Sequence, residues 1–299
     1  MFESLPVLAS IISTFSRAGL NVVDRRQYQQ EKVCPLVMGY WNNLLPALLM
    51  FPIILFTPAS DNYLKDLLAI DLVFMSVLIQ CVAYSFSLAF KCLRVTDVAV
   101  LSKAADVTVP IVLAFLGFYS ISYVLFLFLS TILVLFIFST GLDVFRKIYK
   151  SAVVLVLMLT AQGVFAYFFG LHSSYDREFW SLLSATFSVL VWRFIFSSFF
   201  LIYGRGPSNA YFFPKEFLSR NGFYLRGSLT LLTQVTFIYA ITADNLMIIW
   251  PILNATGFLG AVFAYLFLGE KLKPRDFLFI SLSFVIGGLI VITFNNEYF

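Results

Sequence analysis

Apolar segments of about 20 residues recur along almost the whole chain, and this repetition constrains the fold more than any other feature. A segment of that length crosses the hydrocarbon core of a bilayer as a helix, whereas a membrane strand needs about ten residues of alternating polarity. The segments here are continuous, so they favour helices. With 61% hydrophobic and 12% charged residues and a mean hydropathy of +0.91, the 299 residues leave little chain for a soluble domain.

The apolar segments number ten, and we predict an all-α membrane protein with ten transmembrane helices. Polar connectors such as SDNYLKD separate them. The predicted helices cover residues 5–23, 34–57, 67–90, 97–117, 120–140, 151–171, 180–203, 222–242, 246–268 and 277–294.

Basic residues in the connectors predict the orientation. Fourteen of the 20 Lys and Arg residues lie in connectors that share one side of the predicted membrane, and only Lys65 and Arg177 lie on the other. The positive-inside rule therefore puts the basic face in the cytoplasm and both termini outside. Short loops and termini favour a bacterial inner membrane. The basic face comprises Arg25, Arg26, Lys32, Lys91, Arg94, Arg146, Lys147, Lys150, Arg205, Lys215, Arg220, Lys271, Lys273 and Arg275.

Residues that perform chemistry are scarce. A metal site needs clustered His, Cys and carboxylates, but the chain has one histidine, His172, and three cysteines, Cys34, Cys81 and Cys92, in or beside apolar segments. Paired carboxylates, G-x-S-x-G and H-E-x-x-H motifs are absent from the sequence. We therefore expect no enzyme activity, metal or cofactor. The net charge of +4 comes from the cytoplasmic connectors and implies no nucleic-acid partner.

The N-terminus begins MFESLPVLAS, with Glu3 and no basic region before the apolar segment. No small-residue cleavage site follows it. We therefore expect no cleaved signal peptide, and the first segment remains as a helix.

The ten predicted helices fall into two sets of five, residues 1–147 and 148–299. The segment VTDVAVLSKAADVTVPIVLAFLGF loosely resembles ITADNLMIIWPILNATGFLGAVFAYLF, through Asp97 and Asp244 before a helix interrupted by Pro or Gly. Because each half has an odd number of helices, the second half enters the membrane from the opposite side. This arrangement is the inverted-topology repeat of many secondary transporters.

The segment PILNATGFLGAVFAYLFLGEKLKPRDFLFISLSFVIGGLIVIT, residues 251–293, resembles the end of an EamA-type repeat of the drug/metabolite transporter superfamily. The shared pattern is a Pro-led helix rich in small residues, a Gly-Glu pair at Gly269 and Glu270, a basic turn and a glycine-containing last helix. In the first half Pro110 is present, but GFYSIS replaces Gly-Glu. The resemblance implies two five-helix repeats, a small polar substrate, and a cavity among the third, fourth, eighth and ninth helices.

Five ionisable side chains lie deep within predicted helices, where a central charge costs about 2.5–3.5 kcal/mol on insertion scales. Arg17 and Lys103 lie about 9 Å from the basic end, Arg193 about 15 Å and Arg226 about 6 Å, at about 1.5 Å per residue. Arg226 and Arg17 can snorkel to the headgroups, whereas Arg193 cannot easily do so. Asp106 lies one turn beyond Lys103 on the same face, so the two can pair.

These five charges sum to +3 on the cytoplasmic side of the membrane centre, which predicts a water-filled vestibule for ligands bearing carboxylate or phosphate. Arg193 is the first candidate for the anionic group, because guanidinium binds planar oxyanions through two hydrogen bonds. Asp106 is the candidate for proton coupling. The candidate substrate-binding residues are Arg193, Lys103, Asp106, Arg17, Arg226, Tyr84, Gln80, Trp250 and Asn254, with Gln162 and Gln234 as further polar residues. Candidate hinges are Pro110, Pro251 and Gly257.

Together these features predict a secondary active transporter, exchanger or antiporter for a small polar metabolite with at least one negative group. Amino acids, nucleotide-linked compounds and other zwitterions fit that class. Two alternatives remain open. An intramembrane enzyme on lipid-linked substrates would need an activated acid, base or nucleophile. A non-transporting assembly protein or lipid scramblase would show no ligand-dependent effect when Arg193 is removed. The expected partners are the substrate and the bilayer, and the oligomeric state is open.

Overall fold

The computed structural model describes residues 4–29, 34–118, 126, 128–134, 142–172, 178–204, 221–242, 249 and 252–295. Helices account for most of these residues, and no strand occurs among them. Within these ranges six helices are long and apolar enough to cross a membrane, and Ile252–Leu268 is a shorter apolar helix. The protein is therefore an all-α, multi-pass membrane protein. The six are Leu5–Tyr28, Pro35–Leu55, Ile70–Cys92, Val95–Phe115, Ser151–Phe169 and Phe179–Tyr203.

We number the main helices in chain order. They are α1 (Ser4–Gln29), α2 (Pro35–Leu55), a 3₁₀ helix (Pro58–Asp61), α3 (Tyr63–Leu67), α4 (Ile70–Cys92), α5 (Val95–Ser102), α6 (Ala105–Phe115), α7 (Leu142–His172), α8 (Phe179–Tyr203), α9 (Asn221–Ile241), α10 (Thr256–Leu268) and α11 (Pro274–Asn295).

Two helices differ from their predicted forms in ways that matter for the site. Helix α1 ends at Gln29, six residues beyond the predicted end at Val23, so Asp24 and Arg25 lie inside it. The span Val95–Phe115, predicted as one helix over residues 97–117, is interrupted at Lys103 and Ala104 and so consists of two consecutive helices, α5 and α6. Most of the predicted helix over 120–140 lies outside the described residues.

Proline and glycine mark several helix ends. Helix α2 starts with Pro35, whose missing N–H is harmless in the first turn, where backbone donors have no helical partner. Helix α10 ends at Leu268, and the next residue, Gly269, adopts a left-handed φ of 65°, so that Glu270 N–H donates to Ala264 O at 3.2 Å. Glycine adopts this conformation without a Cβ clash. The turn redirects the chain so that Glu270 follows directly.

Helix α1 lies at the centre of the packing and contacts α4, α5, α9 and α10. Around it, α2 packs on α8 and α9, α4 packs on α7 and α8, and α5 packs on α10 and α11. Apolar side chains such as Phe90 and Phe237 fill the interior. Large apolar side chains such as Phe115 and Phe267 are exposed on the outer surface, as expected where the solvent is lipid.

Candidate functional site

A short interruption of the helical hydrogen bonding between α5 and α6 forms the candidate site. At Lys103 and Ala104 the backbone N–H groups bond to the carbonyl three residues earlier instead of four, as in a 3₁₀ helix. Lys103 N–H donates to Val100 O at 3.2 Å and Ala104 N–H to Leu101 O at 3.1 Å. Discontinuous helices of this kind free backbone groups and carry the binding sites of many transporters. The interruption lies seven residues before Pro110, the candidate hinge, which is inside α6.

A second irregular segment faces this break. Residues 252–254 form one helical turn, Ala255 interrupts it, and α10 follows. The Ile252 carbonyl accepts a hydrogen bond from the Thr14 hydroxyl of α1 at 2.8 Å and another from Ala255 N–H at 3.0 Å. The irregular turn thus holds Asn254 beside the α5–α6 break while its backbone remains hydrogen-bonded.

Lys103, Asp106 and Asn254 form a connected polar cluster. Lys103 Nζ lies 2.9 Å from Asp106 Oδ2, which is the pair that their spacing predicts. The Asn254 side-chain amide donates to the other oxygen of Asp106. Lys103 is almost fully buried, with its side chain 3% exposed, and Asp106 is 16% exposed. The carboxylate therefore has a cation on one oxygen and a neutral donor on the other.

Arg17 brings a further positive charge to this cluster from α1. Its guanidinium carbon lies 4.9 Å from the centre of the Phe237 ring, a cation–π contact. No ion pair involves Arg17 in the part of the chain that the structure describes. The guanidinium donors are therefore not committed to a carboxylate.

These groups line one cavity of about 40 Å³. Its walls come from α1, α4, α5, α6, α7 and α10, and they include Gln162, which we expected among the polar residues. A water molecule needs about 10–15 Å³ of such space, so the cavity holds about three waters. Its polar lining residues are Arg17, Asn21, Ser102, Lys103, Asp106, Gln162, Asn254 and Thr256.

Arg193 lies outside the lining of this cavity. Its Nε donates to Gln80 Oε1 at 3.2 Å and its Nη1 donates to Gln234 Oε1 at 2.8 Å. Asn43 Nδ2 also donates to Gln80 Oε1, at 2.9 Å. Tyr84, one turn beyond Gln80, packs edge-on against Phe200. The predicted binding residues thus fall into two groups, one around Lys103 and one around Arg193.

The expectation that Arg226 snorkels to the headgroups is wrong. Arg226 is 8% exposed and its guanidinium forms an ion pair with Asp24 of α1, with Nη2 to Oδ2 at 2.9 Å. Because α1 continues past Val23, Asp24 belongs to the buried set and lies beside Arg226. A carboxylate already neutralises Arg226, so Arg226 is not a free cation for substrate.

The remaining candidate residues have the following positions. Gly257 packs against α5, where an added Cβ would lie 3.4 Å from Ala99 O, so its small size permits close approach of the two segments. Trp250 and Pro251 lie outside the described residues. The described residues contain no group of three or more His, Cys, Asp or Glu side chains that could hold a metal.

Our sequence interpretation missed an ion-pair cluster at the basic end. Glu270 accepts from Arg25 Nε at 3.2 Å and from the Val95 backbone N–H, at the first residue of α5, at 3.0 Å. Arg25 also donates from Nη1 to Phe90 O at 2.6 Å. Glu270 thus ties α1 and α5 together from the chain that follows α10. The Gly-Glu pair was the available signal, but its partners are 245 and 175 residues away in sequence.

Arg94 is the second member of this cluster. It pairs with Asp97 at 2.6 Å, lies 3.6 Å from Asp276 of α11, and donates to Lys271 O at 3.1 Å. The hydrogen bonds that Arg94 donates to the Asp97 carboxylate raise the pKa of Arg94 above its ordinary value. The two arginines therefore connect helices from both halves of the chain at the basic end.

Comparison with known proteins adds no family assignment: no protein-family model matches the chain, and no curated protein matches it. The candidate functional site is therefore identified by the interrupted segments, the cavity where they meet, and the buried charges that line it.

Proposed function

We propose that the protein is a secondary active transporter or exchanger that moves a small polar metabolite with at least one negative group. The observation that carries this proposal is the cavity at the two interrupted segments, where Lys103, Asp106, Asn254 and Arg17 meet. Ionisable groups inside a membrane are costly and mark substrate pathways. Interrupted helices that meet at such groups are the usual binding site of secondary transporters.

The charges at the cavity favour a zwitterion or an anion. Arg17 and Lys103 contribute two positive charges and Asp106 one negative charge. A substrate carboxylate or phosphate can take two hydrogen bonds from the uncommitted Arg17 guanidinium. A substrate ammonium can share Asp106 with Lys103. Amino acids, nucleotide-linked compounds and other zwitterions have both groups, whereas a plain cation meets net repulsion.

Helix packing supports the proposed inverted repeat of residues 1–147 and 148–299. If α1, α2, α4 and α5–α6 correspond to α7, α8, α9 and α10, every major contact should have a counterpart. The α1–α9 contact corresponds to α7–α4, and the α4–α8 contact corresponds to α9–α2. The α1–α10 contact corresponds to α7 with α5 and α6, while α2–α8 and α5–α10 map onto themselves. This correspondence covers four helices of each half and supports two equivalent units. The proposal of ten helices and of the EamA-like family of the drug/metabolite transporters rests on the hydropathy pattern and on the resemblance of residues 251–293.

Alternating access follows from the same arrangement. The cavity holds about three waters, so a metabolite enters only when the lining helices separate. At the basic end, Arg25–Glu270, Arg94–Asp276 and Arg226–Asp24 join the two halves of the chain. Opening toward the cytoplasm would break these pairs and opening toward the other side would leave them intact. The basic end is therefore the closed gate in this conformation.

The proposal includes the orientation and the energy source. The basic face lies in the cytoplasm and both termini lie outside, in a bacterial inner membrane. Exchange of one metabolite for another needs no coupling ion. If transport is proton-coupled, Asp106 is the group that accepts the proton, because it is the carboxylate that lines the cavity.

A thermal-shift screen of the purified protein in detergent tests the binding step. Zwitterionic, anionic and cationic metabolites are compared, because a ligand at about 100 times its Kd adds about 2.7 kcal/mol of stability. We expect stabilisation by zwitterionic compounds, whose ammonium group needs Asp106 and whose anionic group needs Arg17, and we expect Asp106→Asn or Arg17→Gln to lose it. Asp71→Asn is the matched control, since Asp71 lies in the first turn of α4 and does not line the cavity. Stabilisation by cations only would contradict the proposed substrate class.

A further inference from the structure

Arg193 is a buried cation whose described neighbours do not neutralise it. Its residue is 7% exposed on α8, about half-way along the helix. Both of its side-chain acceptors, Gln80 Oε1 and Gln234 Oε1, are neutral amides. In the described ranges no carboxylate forms an ion pair with it. Arg17 and Arg226 lie near enough to repel it. The positive charge at this point of the membrane core is therefore uncompensated.

The polar groups around Arg193 include donors that have no acceptor. Gln234 Oε1 accepts from Arg193, so Gln234 presents its Nε2 as a donor, and that atom is buried without a partner among the described residues. The Tyr84 hydroxyl is also buried, and its O–H has no acceptor among the described residues. Asn43 Oδ1 also lacks a partner there, and a bound water or a hydrogen-bearing oxyanion such as hydrogen phosphate would supply its donor. A guanidinium accompanied by N–H and O–H donors that lack acceptors provides the groups that bind an anion.

The supporting residues hold this arrangement in place. Asn43 donates to Gln80 Oε1 at 2.9 Å and to the Arg193 backbone carbonyl at 3.3 Å, so α2, α4 and α8 are joined at this point. Gln80 and Gln234 lie on α4 and α9, the helices that correspond to each other in the proposed repeat. The guanidinium is therefore oriented before any ligand arrives, which lowers the ordering cost of binding.

A substitution that replaces an uncompensated buried charge by an apolar residue of similar volume usually costs no stability, because the apolar residue fits the membrane core better. The charge of Arg193 therefore needs a reason other than stability. We propose that Arg193 forms a second anion-binding centre, separate from the Lys103–Asp106–Asn254 cluster, that takes an oxyanion: a carboxylate or phosphate group. The group has two possible sources, a free oxyanion or a second anionic group of the transported metabolite. Only the second source rests on the proposed function.

The test measures the melting temperature of the full-length protein in detergent with inorganic phosphate or acetate, at an ionic strength held constant with sodium chloride. In the wild type we expect a rise of about 5 °C at about 100 times the Kd. Arg17→Gln, the matched loss of a guanidinium at the cavity, should retain the rise, and Arg193→Gln should lose it. The opposite pattern, or no rise in the wild type, would overturn the proposal.

A further variant covers the case in which Arg193→Gln is unstable because Gln80 Oε1 and Gln234 Oε1 lose their donor. Arg193→Lys retains the charge but not the two-pronged geometry, so its oxyanion-dependent rise should be smaller than that of the wild type. If the melting temperature of Arg193→Lys rises with oxyanion as much as that of the wild type, the assignment of the oxyanion to this guanidinium is overturned.

Competition identifies the source. If the transported metabolite displaces phosphate in the wild type, the occupant is the metabolite's own anionic group, and if it does not, the centre binds a free oxyanion. A rise with chloride alone, and none with phosphate or acetate, would overturn the oxyanion assignment. A protein that transports nothing but keeps the Arg193-dependent rise would reject the proposed function and leave this centre intact.

Discussion

At the scale of single residues, some buried charges have a carboxylate partner and others have none, and the partners lie close in sequence or far apart. Lys103 and Asp106 are three residues apart on neighbouring helical turns, so their pairing could be read from spacing. Asp24 and Arg226 are 202 residues apart. Nothing local to Arg226 indicates a carboxylate partner, and the longer α1 that supplies it was not predicted.

The Lys103–Asp106 pair gives a prediction on stability. Asp106→Leu leaves Lys103 buried beside an apolar side chain, and we expect it to cost about 3 kcal/mol of unfolding free energy. The double variant Lys103→Met with Asp106→Leu should return to within about 1 kcal/mol of the wild type, because no charge is left uncompensated. Denaturant titration of the purified protein in detergent measures both. A double variant as unstable as the single one would show that the pair is not the stabilising unit.

Asp66 gives a prediction on pH, outside the membrane-spanning helices. It lies in α3, is 2% exposed, and accepts a hydrogen bond from Ser184 at 2.5 Å. Burial raises the pKa of its carboxyl above the ordinary value. The folded state then holds the proton more tightly than the unfolded state, so the contribution of Asp66 to stability increases as pH falls through the raised pKa.

Asp66→Asn should therefore be more stable than the wild type at neutral pH, and the difference should shrink as the pH approaches about 4. Melting temperatures of both proteins between about pH 4 and about pH 8 measure this. Asp61→Asn is the control, because Asp61 is exposed on the same connection. An unchanged difference across the range would contradict the burial effect on Asp66.

At the scale of elements, the sequence indicated that the fourth and ninth predicted helices are irregular but not where. Pro110 stays a candidate hinge inside α6, and the interruption at Lys103 and Ala104 was not predicted. The position of a helix interruption depends on which groups bond to the backbone atoms that it releases. Here those groups come from a distant helix, as the Thr14 hydroxyl does at the Ile252 carbonyl. The Gly-Glu pair was noticed as a pattern, but its function as a connection to α1 and α5 needed the structure.

Glu270 and Arg25 test whether the basic end is a gate held by charge. Glu270→Gln and Arg25→Gln should each lower the unfolding free energy, and the double variant should show a coupling of about 1–3 kcal/mol, because both side chains are largely buried. Arg275→Gln is the matched control. Its side chain is 51% exposed beside Asp276, and its expected cost is below about 0.5 kcal/mol. A coupling no larger than the cost of the control would show that the Arg25–Glu270 pair does not hold this end closed.

At the scale of the whole molecule, membrane insertion was predictable and site composition was not. Six of the ten predicted helices coincide with apolar helices long enough to span the bilayer, since continuous hydrophobic length alone determines that property. The assembly of Lys103, Asp106, Asn254 and Arg17 depends on how distant helices pack. The sequence supplied each residue as a candidate, but it grouped Arg193 and Arg226 with them.

Orientation is a prediction for the whole chain. In a variant without Cys34, Cys81 and Cys92, single cysteines are introduced at the exposed positions Lys65 and Lys273. An impermeant maleimide added to intact cells should label Lys65→Cys, and Lys273→Cys only after permeabilisation, because basic connectors face the cytoplasm. The reverse pattern would invert the proposed orientation.

Uptake into proteoliposomes tests the central claim most directly. The compound with the largest thermal shift is supplied outside vesicles that contain the wild type, Arg17→Gln or Asp71→Asn, with the same compound unlabelled inside to permit exchange. We predict uptake by the wild type and Asp71→Asn, and at least a tenfold loss of uptake at low substrate in Arg17→Gln, about 1.4 kcal/mol of binding. Wild-type uptake equal to that of empty vesicles, or undiminished uptake in Arg17→Gln, would contradict transport through this cavity.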